Sequence, residues 1–158
     1  MSTDAKIIGG IVVATVVIIV GGIFLVTRNN SQEADVSDEQ IISRKGIHWH
    51  PKLIINIKGQ KQEIPANIGI GTVHQPIHTH EDAKDGVLHM EMKGLVTKGE
   101  TQIGNFFRVW GKEFNSNCIL DYCSGSGGVV KILINGQENE EFENYLMKDG
   151  DKIEIRYE

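Results

Sequence analysis

The sequence predicts an α+β fold in which a small mixed β-sheet packs against one helix, preceded by one transmembrane helix. Three observations support this prediction. Residues 7–26 carry no charge, several later segments alternate apolar and polar side chains as strands do, and one segment has apolar residues at helical spacing. A small β-sandwich or barrel carrying one helix is the alternative, because short strands with turn signals dominate the pattern.

The first 46 residues are predicted to place the protein at a membrane. Residues 1–6 are a short N-terminal segment, and residues 7–27 are long enough as a helix to span roughly 30 Å of hydrocarbon. A cleaved signal peptide would usually have a shorter apolar region of about 7–15 residues. Residues 28–46 are polar and acidic and read as a tether. We expect a single-pass protein of the cell membrane with its soluble domain on the extracytoplasmic side.

Residues 47–158 are predicted to form one histidine-rich domain with a hairpin, an inserted strand, a helix and two closing strands. This order of elements suggests a β-grasp-like arrangement. Phe106, Phe107 and Trp110 are expected to pack the helix into the core, with Thr101 capping its start and Gly111 ending it. The predicted elements are a hairpin at 53–64, a strand at 87–92, a helix at 101–111, and strands at 129–134 and 152–157.

The overall charge excludes one class of partner. The chain has 16 basic and 21 acidic residues, for a net charge of -5, and the basic residues form no stripe. Such a surface does not attract a phosphate backbone, so a nucleic acid is not an expected partner.

All six histidines lie between positions 48 and 89. Side chains two residues apart on a strand share a face, so two His-x-His pairs and one His-x-Glu pair each place two donor groups side by side. Imidazole is a ligand for zinc and copper, and at equal geometry the Irving–Williams order favours Cu(II) over Zn(II). The alternative is an ordinary polar face. The predicted metal-site residues are His48, His50, His78, His80, His89 and Glu91.

Four other features are assigned more ordinary roles. His74 has no partner two positions away and is expected to be a surface or hydrogen-bonded residue. Glu91 either binds the ion or orients an imidazole. Residues 81–86 are expected to form a solvated turn. Cys118 and Cys123 form a disulfide, remain a free or buried pair, or take part in metal or redox chemistry.

Four ordered motifs resemble one uncharacterised prokaryotic family whose members are secreted or membrane-anchored. They are His48-x-His50-Pro51-x-Leu53, Ile64-Pro65-Ala66-Asn67-Ile68-Gly69, His78-Thr79-His80 followed by Gly86-x-x-His89-x-Glu91, and Gly104-x-Phe106-Phe107-x-x-Trp110-Gly111. The likeness runs from about Ile47 to the C-terminus. It implies an extracytoplasmic location and the grouping of the histidines, and it implies no reaction.

These observations give three functional hypotheses. The first is a non-enzymatic, membrane-anchored domain that holds copper or zinc for delivery, storage or sensing. The second is a metal-dependent enzyme in which Glu91 or Glu81 acts as general base beside a metal-bound water. The third is a structural or interaction module that docks a membrane partner.

Overall fold

The computed structural model describes residues 36–158, of which Asp38–Glu158 form one compact unit. This part of the chain is mostly β, with one α-helix, α1 (Ile103–Trp110), and short 3-10 turns. The strands are β1 (Ile41–Ser43), β2 (Ile47–Trp49), β3 (Lys52–Ile57), β4 (Gln60–Gln62), β5 (Ile77–His78), β6 (His89–Met92), β7 (Val96–Thr97), β8 (Cys118–Ile119), β9 (Tyr122–Cys123), β10 (Val130–Ile134), β11 (Gln137–Asn139) and β12 (Lys152–Tyr157).

The predicted fold class is wrong. In place of one small β-grasp-like sheet, the described strands are divided among a five-stranded sheet, a three-stranded sheet and two two-stranded sheets. No helix within residues 36–158 is long and apolar enough to cross a membrane. The predicted transmembrane segment, residues 7–27, lies outside the described residues. Of the predicted tether, residues 38–46 belong to the compact unit, and β1 pairs with β7.

The five-stranded sheet has the order β11-β10-β12-β3-β4 and supplies much of the core. Its central pair, β12 and β3, is parallel, and the other pairs are antiparallel. Alternate residues of β3 and β12 are buried, as the period of two in the sequence predicts. The predicted hairpin is confirmed with its turn at Gly59, but its second strand is Gln60–Gln62 and ends before Ile64, which the prediction had included.

The three-stranded sheet has the order β2-β6-β5 and carries the histidines. In its central strand, Met90 and Met92 are buried whereas His89 is half-buried and Glu91 is exposed. The predicted split of this strand is therefore confirmed. Methionine side chains point into the core, and the polar side chains lie on the opposite face.

Helix α1 packs its apolar side into the core, with Ile103, Phe106 and Phe107 buried. Trp110 is only half-buried against that core. Gly111 ends the helix in the left-handed conformation, as predicted. The predicted cap is wrong, because the helix begins after Gln102 and Thr101 is buried in the preceding 3-10 turn, where its hydroxyl donates to the Lys98 carbonyl.

The two cysteines form a disulfide across the short hairpin of β8 and β9. Cys118 and Cys123 are directly opposite each other, with Cα atoms 4.0 Å apart. Among the predicted alternatives this geometry selects the disulfide. Neither sulfur is therefore available as a thiolate ligand for a metal ion.

Candidate metal centre

The five candidate histidines come together around His89. Its ring centroid lies 4.8 Å from that of His50, 4.7 Å from that of His80 and 5.7 Å from that of His78. His48 extends the group, with its centroid 4.8 Å from that of His50. Residues 48–50, residues 78–80 and His89 thus place their imidazoles in one continuous cluster.

Strand register explains why these side chains meet. His48 is directly opposite Glu91 on β6, and His78 is directly opposite His89. Residues opposite one another in an antiparallel pair project from the same face, and so do residues two apart on one strand. The register therefore directs all four side chains to one face of the three-stranded sheet, opposite buried Met90.

His78 is the most deeply placed ligand candidate, with 2% of its surface exposed. Its Nδ1–H donates to the Gln75 carbonyl at 2.9 Å, which leaves the lone pair of the neutral ring on Nε2. That Nε2 lies 3.2 Å from Nε2 of His80. Burial lowers the pKa of His78, the Gln75 carbonyl opposing this effect in part. The ring is therefore kept neutral, the form that binds metal.

His89 is oriented by Asp82, a residue that the sequence analysis placed in a solvated turn. The His89 Nε2–H donates to the carboxylate, with both oxygens 3.1 Å away. The other ring nitrogen, Nδ1, then carries the lone pair. A carboxylate behind a histidine is the usual outer partner of a metal-bound imidazole, because it fixes the tautomer and raises the basicity of the ligand.

The position of Asp82 depends on the 3-10 turn Glu81–Asp85 and on the residue that ends it. Gly86 closes this turn with a φ of +83° and accepts a backbone hydrogen bond from Leu53 at 2.8 Å. A Cβ at Gly86 would lie 2.4 Å from the Leu53 carbonyl oxygen. Glycine is thus required for this turn to pack against β3 and hold Asp82 beside His89.

His50 is positioned through its backbone. Its N–H donates to the Asp149 carboxylate at 2.8 Å. Two residues later, the Lys52 N–H donates to the Asp151 carbonyl at 2.7 Å and fixes the start of β3. The loop before β12 therefore fixes the point at which β2 ends and His50 leaves the sheet.

The remaining polar candidates lie at the exposed side of the cluster. Glu91 approaches His48, with a carboxylate oxygen 3.4 Å from Nε2, and both side chains are exposed. Glu91 is therefore placed to orient His48. Glu81 is exposed at the start of the 3-10 turn, and His74 is exposed with its ring centroid 5.8 Å from that of His78.

Three residues can hold a metal ion with one ligand atom each. His48, His50 and His89 place these atoms within 4.8 Å of one another. An open groove of about 460 Å³ reaches the cluster at His48 and His78, and it is lined by Ile47, His48, His74, Gln75, His78, Glu91, Met92 and Lys93. The cluster thus combines nitrogen ligands with access from solvent.

Comparison with known proteins gives no match: no family model, curated protein or solved structure matches this chain. The family resemblance noted from the sequence motifs stays a prediction.

Sequence reasoning found the five histidines and missed three groups that position them: Asp82, Asp149 and the Gln75 carbonyl. For Asp82 the sequence contains one indication, which is its spacing: it lies two residues after a His-x-His pair and seven residues before His89. The other two have no signal in the local pattern, because one is a main-chain oxygen and the other is 99 residues from His50.

Proposed function

We propose that this domain binds a divalent transition metal, zinc or copper, through its histidines and serves in delivery, storage or sensing of the ion. The observation that carries the proposal is the convergence of His50, His78 and His80 on His89, with His48 adjoining. Clusters of neutral imidazoles are typical ligands of these ions. With no cysteine in the cluster, the Irving–Williams order favours Cu(II) at equal geometry.

The positioning groups support the same proposal. A histidine that served only as a polar surface residue would need no fixed tautomer. His78 and His89 each donate one ring N–H to an oxygen, so that each directs its remaining lone pair elsewhere. The anchor at residues 7–27 and the extracytoplasmic location stay predictions from the sequence.

The test is elemental analysis of the full-length chain, purified without a histidine tag and titrated with Zn(II) and Cu(II). We expect stoichiometric metal that is lost when His78 and His89 are both replaced by Ala and retained in His74→Ala, the matched control at an exposed histidine. Metal should also be released near pH 4, because protonated imidazole does not coordinate. Unchanged occupancy at that pH, or equal loss in the control, would contradict the proposal.

A metal-dependent hydrolase is a second candidate, favoured by the groove beside the cluster. Three histidine ligands leave one position of a tetrahedral ion for water, and His48 and Glu91 both line the groove. In this case Glu91→Gln should abolish hydrolysis of an activated ester while the metal content at saturating Zn(II) stays constant. Zinc-loaded protein that hydrolyses the ester no faster than free Zn(II) would exclude this candidate for that substrate class.

A further inference from the structure

The five histidines divide into two sets of donors. Set A consists of His48, His50 and His89, whose ligand atoms lie within 4.8 Å of one another. Set B consists of His78 and His80, whose Nε2 atoms are 3.2 Å apart. The two sets adjoin, because the His89 ring contacts the rings of both members of set B.

Set B already has the spacing of two ligands on one ion. Metal–nitrogen distances of about 2.0–2.1 Å with tetrahedral angles place two donor atoms about 3.3 Å apart. The observed separation of 3.2 Å, at which the His80 Nε2–H donates to the His78 Nε2 in the metal-free chain, matches that spacing. Since the Nδ1–H of His78 is committed to the Gln75 carbonyl, its Nε2 is the ligand atom, and His80 needs only the change of tautomer that frees its own Nε2.

One tetrahedral ion, the geometry that Zn(II) prefers, cannot bind every member of both sets. A tetrahedral ion has four positions, and the cluster contains five imidazoles. His89 cannot bridge two ions as a neutral ring, because its Nε2–H is donated to Asp82 and only Nδ1 remains. At least one histidine is therefore left over if a single ion binds.

Charge near the cluster offsets the repulsion between two adjacent cations. Asp82 lies 3.1 Å from His89, and Glu91 lies 3.4 Å from His48. Both carboxylates lie beside members of set A. This set is the more exposed of the two and has three ligands. Negative carboxylates this close to the ligands attract a bound cation and so favour the metal-bound state.

Resting on the proposed metal-binding function, we infer that the domain binds two transition-metal ions side by side, one in set A and one in set B. Set A supplies three protein ligands to its ion. Set B supplies two and leaves the remaining positions to water. Set B includes the deepest ligand, His78, and the exposed His80.

The test is the number of Zn(II) ions bound per full-length chain, measured by native mass spectrometry and by elemental analysis. Wild type and His74→Ala should each bind two ions. The double replacement of His48 and His50 by Ala should leave one. His80→Ala, at an exposed position, removes one ligand of set B but leaves the bond from His78 to the Gln75 carbonyl in place, and it should also leave one ion.

Other counts have distinct meanings. One ion in wild type that is lost in both variants would show a single shared site and overturn the inference while leaving the proposed function intact. No ion in wild type would overturn the proposed function itself. Circular dichroism of each variant confirms that a lost ion reflects a lost ligand and not an unfolded chain.

Discussion

Replacing Asp82 by Ala should weaken metal binding although Asp82 is not a candidate ligand. Its carboxylate accepts the Nε2–H of His89 with both oxygens at 3.1 Å, and this bond fixes the orientation of the ring and leaves the lone pair on Nδ1. Without the acceptor, the imidazole can rotate, and its proton can move to Nδ1, where it blocks coordination. The Asp82 side chain is 42% exposed, so the fold itself should tolerate the change.

The expected magnitude follows from the role of such outer carboxylates. Loss of one typically reduces metal affinity by about 10–100-fold, equivalent to about 1.4–2.8 kcal/mol. Asp82→Asn should fall between wild type and Asp82→Ala, because the amide oxygen still accepts the His89 N–H but carries no charge. Glu81→Ala is the matched control, since it removes a neighbouring exposed carboxylate from the same 3-10 turn.

The assay is a competition titration of the full-length chain against a chromophoric chelator, with Zn(II) at about neutral pH. Under the two-ion inference the loss should fall on the ion held by His48, His50 and His89. Equal weakening by Glu81→Ala would show that general negative charge, not orientation of His89, is responsible. An unchanged affinity in Asp82→Ala would refute the orienting role altogether.

Three further predictions concern stability and can be measured by urea denaturation of the metal-free chain. Burial lowers the pKa of His78, so the unfolded chain takes up this proton near pH 6.5 and the folded chain only at lower pH. The contribution of His78 to the free energy of unfolding should therefore be complete above about pH 6.5 and be lost as the pH falls through the pKa of the folded state. His78→Gln should make the free energy of unfolding depend less on pH in this range. The same pH dependence in the variant and in wild type would contradict this. Phe106 is 0% exposed in the core, so Phe106→Ala should cost about 3–5 kcal/mol and Phe106→Leu clearly less, whereas a change near zero would show that the helix is not packed as described. Gly86→Ala should lower the free energy of unfolding by at least about 1 kcal/mol more than Gly59→Ala does. Both glycines have positive φ, but only at Gly86 would the new Cβ lie against the Leu53 carbonyl. Equal destabilisation by the two substitutions would contradict the packing argument.

The local periodicity of the sequence correctly predicted which side chains of β6 and α1 are buried. The alternation around His89 correctly separated Met90 and Met92, which are buried, from Glu91, which is exposed. Helical spacing correctly placed Phe106 and Phe107 in the core. These assignments required only that a strand repeats every two residues and a helix every 3.6.

The fold class was not predictable in this way, because the sequence of a single strand does not determine which other strand it pairs with. The parallel pairing of β3 with β12 joins residues about one hundred positions apart, and β5 contributes only Ile77 and His78 to its sheet. Such short segments carry too few residues to show a period. Trp110 illustrates the same limit within a helix. It is at the correct spacing for the core, yet it lies at the last helical position and remains half-buried.

The candidate site shows the same division between ligands and the groups that hold them. A His-x-His pair places two imidazoles on one face by strand geometry alone, so the ligands could be proposed from spacing. Their orientation depends on a hydrogen-bond acceptor that must arrive from another segment: Asp82 for His89, the Gln75 carbonyl for His78 and Asp149 for the backbone of His50. Any oxygen at the correct point in space satisfies this requirement, and side-chain and main-chain oxygens serve equally. Residue type therefore carries little information about the positioning groups, and they become visible only when the fold places them within hydrogen-bonding distance.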